Sequence, residues 1–376
     1  MSAAGIIFSN IHDECISELT RVRTMASVPF GGKYRLIDFP LSNMVNSNIN
    51  NIKIITHYNY HSLMDHIGSG KKWDLARRNG GVKILPPFIT AYANRENSLY
   101  TTRLEALRSV SASIDEIEDE YVVMSDCDII CNVNFKEIIN EHISTGADIT
   151  IVVKEETLNQ EQAMKSVLFI ADEEKRIIDV LSFPENYNGR GYVWMNILII
   201  SKRKLMSLIL DATAHNYNSL IQDIIAKRLK DENYRLFAYD GYFGRVRSIP
   251  EYYSQNIALT RSNSARELFL GKNSPIYTSV PETSSTYYGN SCSVKTSMIA
   301  DGCSIEGKVE NSILFSGVKV DKNATVKNSI LFENTIVSSN VKLNCVISDK
   351  NVVIQAGRFL SGHETAPFYI EKNKMI

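Results

Sequence analysis

Asn311-Ser-Ile-Leu-Phe315 returns as Asn328-Ser-Ile-Leu-Phe332, 17 residues further on. Around this pair, single aliphatic residues flanked by small or polar ones (Ile299, Ile305, Val318, Val326, Ile336, Val341, Val346, Val352) fall about five to eight apart. Three short faces of about six residues make one coil, so a period near 17 or 18 describes a parallel β-helix whose stacked aliphatics form the core. An unrelated β-sandwich gives no reason for a pentapeptide to recur in this register. The reading assigns residues 291–376 to this domain and residues 261–290, rich in Ser, Thr, Asn and Pro, to a linker.

Upstream, in residues 1–260, the rhythm is different. Residues 3–9 read as a buried strand and residues 16–25 as helix. Strand and helix patterns then alternate: strand 52–55, helix 62–67, strand 82–85, helix 99–114, strand 121–130, helix 135–143 and strand 149–153. Such alternation predicts an α/β domain with a mixed, mostly parallel sheet covered on both faces. Strands 167–170, 177–181 and 193–200, with a hairpin turn at 172–175, predict an antiparallel insertion. Helices 204–210 and 220–229, strand 236–239 and a helix over 252–259 complete the domain.

The chain has 376 residues, enough for two domains, and 41 basic against 42 acidic residues give a net charge of −1. That balance implies no nucleic-acid partner and no membrane surface. Met1-Ser-Ala-Ala lacks the charged start and long apolar region of a signal peptide, so the expected location is cytoplasmic. The six cysteines show no paired spacing for disulfides or zinc and are read as reduced, with Cys127 and Cys131 as small buried hydrophobes.

The densest local chemistry lies in Val28-Pro-Phe-Gly-Gly-Lys-Tyr-Arg-Leu-Ile-Asp-Phe-Pro-Leu-Ser-Asn43. Pro29 and Gly31-Gly32 permit a tight turn with outward N–H groups of the kind that receives phosphate oxygens. Lys33, Arg35 and Asp38 add charge, and Pro40 suits the first turn of a following helix. An ordinary surface turn accounts for the same residues, and composition does not separate the two readings.

Together with Thr56-His-Tyr-Asn59, His66-Ile-Gly-Ser-Gly70, Lys72-Trp-Asp-Leu75 and Gly80-Gly-Val-Lys-Ile-Leu-Pro-Pro87, this stretch closely resembles the bacterial ADP-glucose pyrophosphorylase (glucose-1-phosphate adenylyltransferase) family. The resemblance spans the chain. It implies a Rossmann-like nucleotidyltransferase domain followed by a left-handed β-helix. In the family, ATP and glucose 1-phosphate give ADP-glucose and pyrophosphate, which calls for a loop to hold the triphosphate, cations to offset charge, and carboxylates to carry Mg²⁺.

Each of those parts departs from the family pattern here. The family's glycine-rich triphosphate loop aligns with Phe8-Ser-Asn-Ile-His-Asp-Glu-Cys15, which has no glycine and brings in Asp13 and Glu14. Its lysine ahead of the Pro-Phe-Gly-Gly turn aligns with Met25. The metal-bearing Ser-Gly-Asp aligns with Asp126-Cys-Asp128, so Asp128 is a catalytic and metal remnant whose partner position is Arg245. A guanidinium there reverses the local charge, and Arg245 and Asp128 could form a structural ion pair. The sugar-phosphate motif Glu-Lys-Pro aligns with Ser182-Phe-Pro184, a further loop with Thr102-Arg-Leu-Glu-Ala106, and a glutamine with His57.

Substitutions thus fall on reacting groups while the scaffold motifs stay. This pattern resembles the GlgD type of subunit, which implies a regulatory role beside a catalytic ADP-glucose pyrophosphorylase subunit in a hetero-oligomer, a heterotetramer, with a homo-oligomer when alone. It implies no catalytic residues, no required cofactor, and Mg²⁺ only where residual activity exists. Gly31, Gly32, Lys33, Arg35 and Asp38 are then a remnant nucleotide pocket. Arg21, Arg23 and Lys33 are candidates for a sugar-phosphate effector site, with solvated surface charge as the plainer alternative. An active adenylyltransferase with altered loops is the second reading. A hexapeptide acyltransferase is the third, weakened because the only histidine after residue 215 is His363, past the regular repeat.

Overall fold

The computed structural model describes residues 2–77, 80–86, 100–269, 274–279 and 282–376. It divides into two compact units, one of Met1–Ile11, Pro40–Tyr60 and Gly68–Phe243, the other of His12–Phe39, His61–Ile67 and Gly244–Ile376. Neither unit is a continuous stretch, so the sequence-ordered boundaries at 260 and 291 do not coincide with this division. No helix among the described residues is long and apolar enough to cross a membrane.

The first unit is built on one nine-stranded sheet. We number its strands β1 (Ala3–Phe8), β2 (Asn51–Ile55), β3 (Gly81–Leu85), β4 (Tyr121–Asp126), β5 (Ile149–Leu158), β6 (Val167–Ala171), β7 (Ile177–Ser182), β8 (Gly189–Ser201) and β9 (Tyr234–Ala238). Parallel strands run in the order β4-β1-β2-β3, and β9 lies parallel to β5. Strand β8 runs antiparallel to β4, β5 and β6, and β6 and β7 form the expected antiparallel hairpin. Strand β1 is apolar on both faces because both are covered, and its Gly5 leaves room for a neighbour: a Cβ there would meet Met44 Sδ at 2.3 Å.

Two expected elements are broken at informative places. The helix read over 99–114 is two helices, Arg103–Ser109 and Ser111–Asp115, and Leu99 lies outside the described residues. Thr102 fixes the start: its side chain accepts from the Glu105 N–H while Glu105 reaches back to the Thr102 N–H. The strand read over 121–130 stops at Asp126 and resumes as Ile129–Cys131, so Asp126, Cys127 and Asp128 sit where the backbone leaves the sheet. The second half of the unit adds helix Lys202–His215 and a π-helical segment, Leu220–Ile225.

The second unit contains the parallel β-helix, three five-stranded sheets whose neighbours are successive coils. The repeated pentapeptide pairs with itself: Ile313 lies beside Ile330 and Leu314 beside Leu331, and the rings of Phe315 and Phe332 meet edge to face at 5.2 Å. The repeat begins with Asn because the corner needs a left-handed backbone, φ 46° at Asn311 and 47° at Asn328. The Asn311 amide donates to Asn328 (2.7 Å), and the Asn328 amide donates to Asn344 (2.9 Å). Ile305, Val318, Val326, Val341, Val346 and Val352 are buried as expected, and Ile299 packs half-buried against the same core. Ile336 does not join it. Its neighbour Val337 takes the inward position, since successive strand residues face opposite sides.

Within residues 261–290 the chain forms helix Ser262–Phe269, and Tyr287–Tyr288 already pairs with Ser304–Ile305 as the first strand of a coil. The helix expected over 16–25 is reduced to one α-turn, Ser17–Thr20, with 3₁₀ turns at Asp13–Ile16 and Met25–Ser27. A backbone N–H that a longer helix would satisfy is met by a side chain instead: the Asp13 carboxylate accepts from the Met25 N–H at 2.7 Å. Met25 itself is buried.

Candidate functional site

Open α/β sheets place ligand sites beyond the carboxyl ends of their parallel strands. In the first unit that position belongs to Asp126 and Asp128, at and just past the end of β4, whose carboxylate oxygens approach within 4.8 Å of each other. Both are buried, and both are held by side chains of the same unit. The Arg103 guanidinium donates from Nε to Asp126 Oδ1 (3.0 Å) and from Nη2 to Asp126 Oδ2. It also lies 4.6 Å over the Trp194 ring. The Asn196 amide donates to both oxygens of Asp128, at 3.0 and 2.9 Å.

Local backbone explains each placement. Arg103 is the first residue of a helix whose capping box fixes its direction. Asn196 stands at the register shift between Trp194 and Ile197 in β8, with φ 56°, a left-handed conformation that Asn tolerates best among non-glycines. The bulge leaves the Trp194 indole N–H to donate to the Ile197 carbonyl at 3.2 Å, which fixes the ring under the guanidinium.

Beside these groups a cavity of about 160 Å³ remains, lined by Thr102, Arg103, Ser182, Phe183, Trp194 and Ser219 among others. The structure therefore brings together two segments noted separately in the sequence, 102–106 and 182–184. The family's metal does not fit this arrangement. A divalent cation would have to displace a bidentate guanidinium from Asp126 and an amide from Asp128, exchanging charge-assisted hydrogen bonds for its own repulsion by Arg103. His57 is also unsuited to carry charge, since burial holds its imidazole down at about 4.

Gly31, Gly32, Lys33, Arg35 and Asp38 belong to the second unit. Gly31 (φ 60°) and Gly32 (φ 86°) make the left-handed turn that the sequence predicts. A Cβ on Gly31 would press on Leu259 at 3.2 Å, and the Gly31 N–H donates to the Asn256 side chain rather than standing free. The turn, Lys33 and Arg35 line a cavity of about 460 Å³, whose other walls include Ser316 and Glu333 of the β-helix. This is the setting the structure gives the residues read as a nucleotide pocket.

Asp38 is fully buried and structural: it accepts from the Arg35 N–H at 2.9 Å and pairs with His66 Nε2 at 2.6 Å. Arg35 donates to the Ser62 carbonyl (2.7 Å) and hydroxyl (3.0 Å). Burial draws the pKa of its guanidinium below the ordinary value, against the opposing pull of Glu333 and Asp38. Arg21 and Arg23 do not line this cavity. Arg21 pairs with Glu371 at 2.9 Å, and Arg23, buried, grips Asp349 with bonds of 2.7 and 3.0 Å. Lys33 is exposed, with no carboxylate within ion-pair distance among the described residues and its ammonium 5.2 Å from the Tyr34 ring.

The sequence reading misses Arg103 as a site residue. Its one local signal is Thr102-x-x-Glu105, which marks a helix start and so fixes where the following arginine points.

Comparison with known proteins agrees with both halves of this description. Residues 16–242 match the nucleotidyl transferase family, and residues 282–365 match the GlmU-like C-terminal hexapeptide family, in keeping with a left-handed β-helix. Glycogen biosynthesis protein GlgD of Bacillus subtilis is 33% identical over 98% of this chain and 95% of its own length. The protein of the same name from Geobacillus stearothermophilus is 32% identical, over 86% of this chain and 82% of its own. Glucose-1-phosphate adenylyltransferase of Thermosipho africanus is 34% identical, over 82% and 74%. A mixed sheet ending in Asp126-Cys-Asp128, a loop Gly31-Gly32-Lys33 set beside a hexapeptide β-helix, and these alignments over most of the chain agree: it belongs to the nucleotidyl transferase family, in the group that holds glucose-1-phosphate adenylyltransferase and GlgD.

Proposed function

We propose that this chain is a regulatory, catalytically impaired subunit of ADP-glucose pyrophosphorylase in bacterial glycogen biosynthesis, acting in the cytoplasm. One observation carries the reading: the Asn196 amide takes both oxygens of Asp128, the family's metal position, and the Arg103 guanidinium stands as a fixed cation on the neighbouring Asp126. A cavity of about 160 Å³ with Arg103 on its wall lies beside these groups. No cofactor of its own is required.

The chain acts by assembling with the catalytic subunit, as a heterotetramer, and favouring its more active state. Such coupling needs differential binding on the order of 1–3 kcal/mol. The cavity beside Lys33 and Arg35, about 460 Å³ with two basic groups on its wall, is the place where a sugar-phosphate effector would act.

The test is kinetic. The purified chain, given ATP, glucose 1-phosphate and Mg²⁺, should form no ADP-glucose at enzyme-like rates. The catalytic subunit should gain turnover, affinity or activator response when this chain is added, and the two should co-purify. Unchanged kinetics of the mixture would end the regulatory reading. Rapid ADP-glucose synthesis by this chain alone would instead favour the enzyme reading, which rests on Asp128, Lys33, Arg35 and Asp38.

A further inference from the structure

At the other end of the parallel sheet, where β1, β2 and β3 begin, a cavity of about 840 Å³ opens among Ala3, Asn48, Asn51, Lys53, Gly80 and Lys83 and the loop bearing Glu116, Glu118 and Asp119. Lys53 is in the middle of β2, on a row that reads Ile6, Lys53, Lys83 across three parallel strands. Paired residues of neighbouring strands point to the same face, so two ammonium groups stand side by side, one strand spacing (about 4.8 Å) apart at their roots.

Lys53 is 3% exposed. Among the described residues no hydrogen-bond acceptor or carboxylate pairs with its ammonium. Three carboxylates share the cavity, and none closes on it. The Asp119 carboxylate accepts from the Asn51 amide at 2.8 Å, while Glu116 and Glu118 remain exposed on the loop. Burial and Lys83 draw the Lys53 pKa below its ordinary 10.5, and Glu116 draws it back.

Lys53 buries its stem and brings its ammonium to the cavity beside a second cation, without a partner among the described residues, which places the pair to take an anion from outside the chain. Two adjacent point charges, each with three donors, suit the several acceptor oxygens of a phosphate group better than the two of a carboxylate. Glu116 and Glu118 opposite are exposed and screened by solvent.

We propose that Lys53 and Lys83 form a binding site for a phosphate group, free or as a small monoester, at the amino-terminal ends of the parallel strands. The site lies wholly in the first unit, and it does not depend on the reading of the Arg103 cleft or of the Lys33 cavity.

The test is calorimetric titration of the full chain with inorganic phosphate, glycerol phosphate and acetate at fixed ionic strength. Saturable phosphate binding is expected, tighter than acetate, at least about tenfold weaker in Lys53→Met, weakened in Lys83→Gln, and unchanged in Lys136→Gln, an exposed lysine elsewhere in the first unit. Preference for glycerol phosphate over inorganic phosphate identifies an ester as the source. Should Lys53→Met fail to fold, inorganic phosphate should protect Lys53 of the unaltered chain from amine acetylation, read by peptide mass. Absence of saturable phosphate binding, tighter binding of acetate, binding indifferent to Lys53→Met, or acetylation of Lys53 undiminished by phosphate would each overturn the proposal.

Discussion

The cleft of the first unit and the cavity of the second hold charged groups of the same kinds, and they differ in whether the protein has already paired them. In the cleft, Asp126 has Arg103 and Asp128 has Asn196. In the second unit, Asp38 has His66 and Arg23 has Asp349, but Lys33 on the cavity wall has no carboxylate partner among the described residues. A polar group that is satisfied internally serves the fold. One left over can serve a ligand. On that criterion the cleft serves the fold, and the cavity is where the proposed effector would bind.

The largest expected effect tests the paired side. Arg23→Met leaves the buried Asp349 carboxylate without its cation, held among the described residues by the Tyr369 hydroxyl at 2.9 Å and the Lys350 N–H at 2.6 Å. It should cost about 3–5 kcal/mol in denaturant unfolding of the second unit. A loss under about 1 kcal/mol would mean the pair is not what holds this region together.

Acid should weigh on the first unit through its histidines. His142 and His57 both belong to it, and burial holds both down at about 4, against an ordinary 6.5. Between pH 6.5 and 4 the unfolded chain takes up a proton that the folded chain refuses, so stability falls as pH falls through that window. His142, bonded to Thr150 at 2.8 Å and 2% exposed, should contribute up to ~3 kcal/mol of that loss, and His142→Gln should flatten the pH dependence of unfolding.

Arg103→Ala reverses the comparison. It should destabilise the first unit by about 2–3 kcal/mol and strip Asp126 of its guanidinium, so that calorimetry detects divalent-cation binding that the parent chain lacks. A variant that binds no cation would show that Arg103 is not what excludes the metal. Gly31→Val strikes the other region: at φ 60°, with Leu259 at 3.2 Å, it should cost about 1–3 kcal/mol and impair assembly with the catalytic subunit. Intact assembly would detach the turn from partner recognition. Lys33→Gln should change stability by less than about 0.5 kcal/mol while abolishing the response of the complex to a sugar-phosphate effector.

What the sequence reveals differs between these regions for a physical reason. The β-helix is legible because its contacts are set by a fixed period: the residues that repeat, Ile313 and Ile330, are the residues that touch. Spacing places one aliphatic a position too early, at Ile336 in place of Val337, because it tolerates a shift of one that the pleat does not. The turn at Gly31-Gly32 is legible from local chemistry, but its surroundings are not, since Ser316 and Glu333 come from the distant β-helix. Arg103 stays hidden for the same reason, because no local pattern brings its guanidinium to Asp126. Reading its helix as one long element, 99–114, also obscures where that helix begins.

The pairing of Arg23 with Asp349 spans 326 residues of chain. At a synthesis rate of about 5–20 residues per second, roughly 15–65 s pass between the emergence of the arginine and that of its partner. During that interval the segment His12–Phe39 has been made but cannot complete its own compact unit, which draws on Gly244–Ile376. The chain must keep a partly apolar segment, with Arg23 still without its partner, in waiting while the intervening sheet is synthesised. Order of assembly, rather than final stability, is then where this arrangement exposes the protein to misfolding.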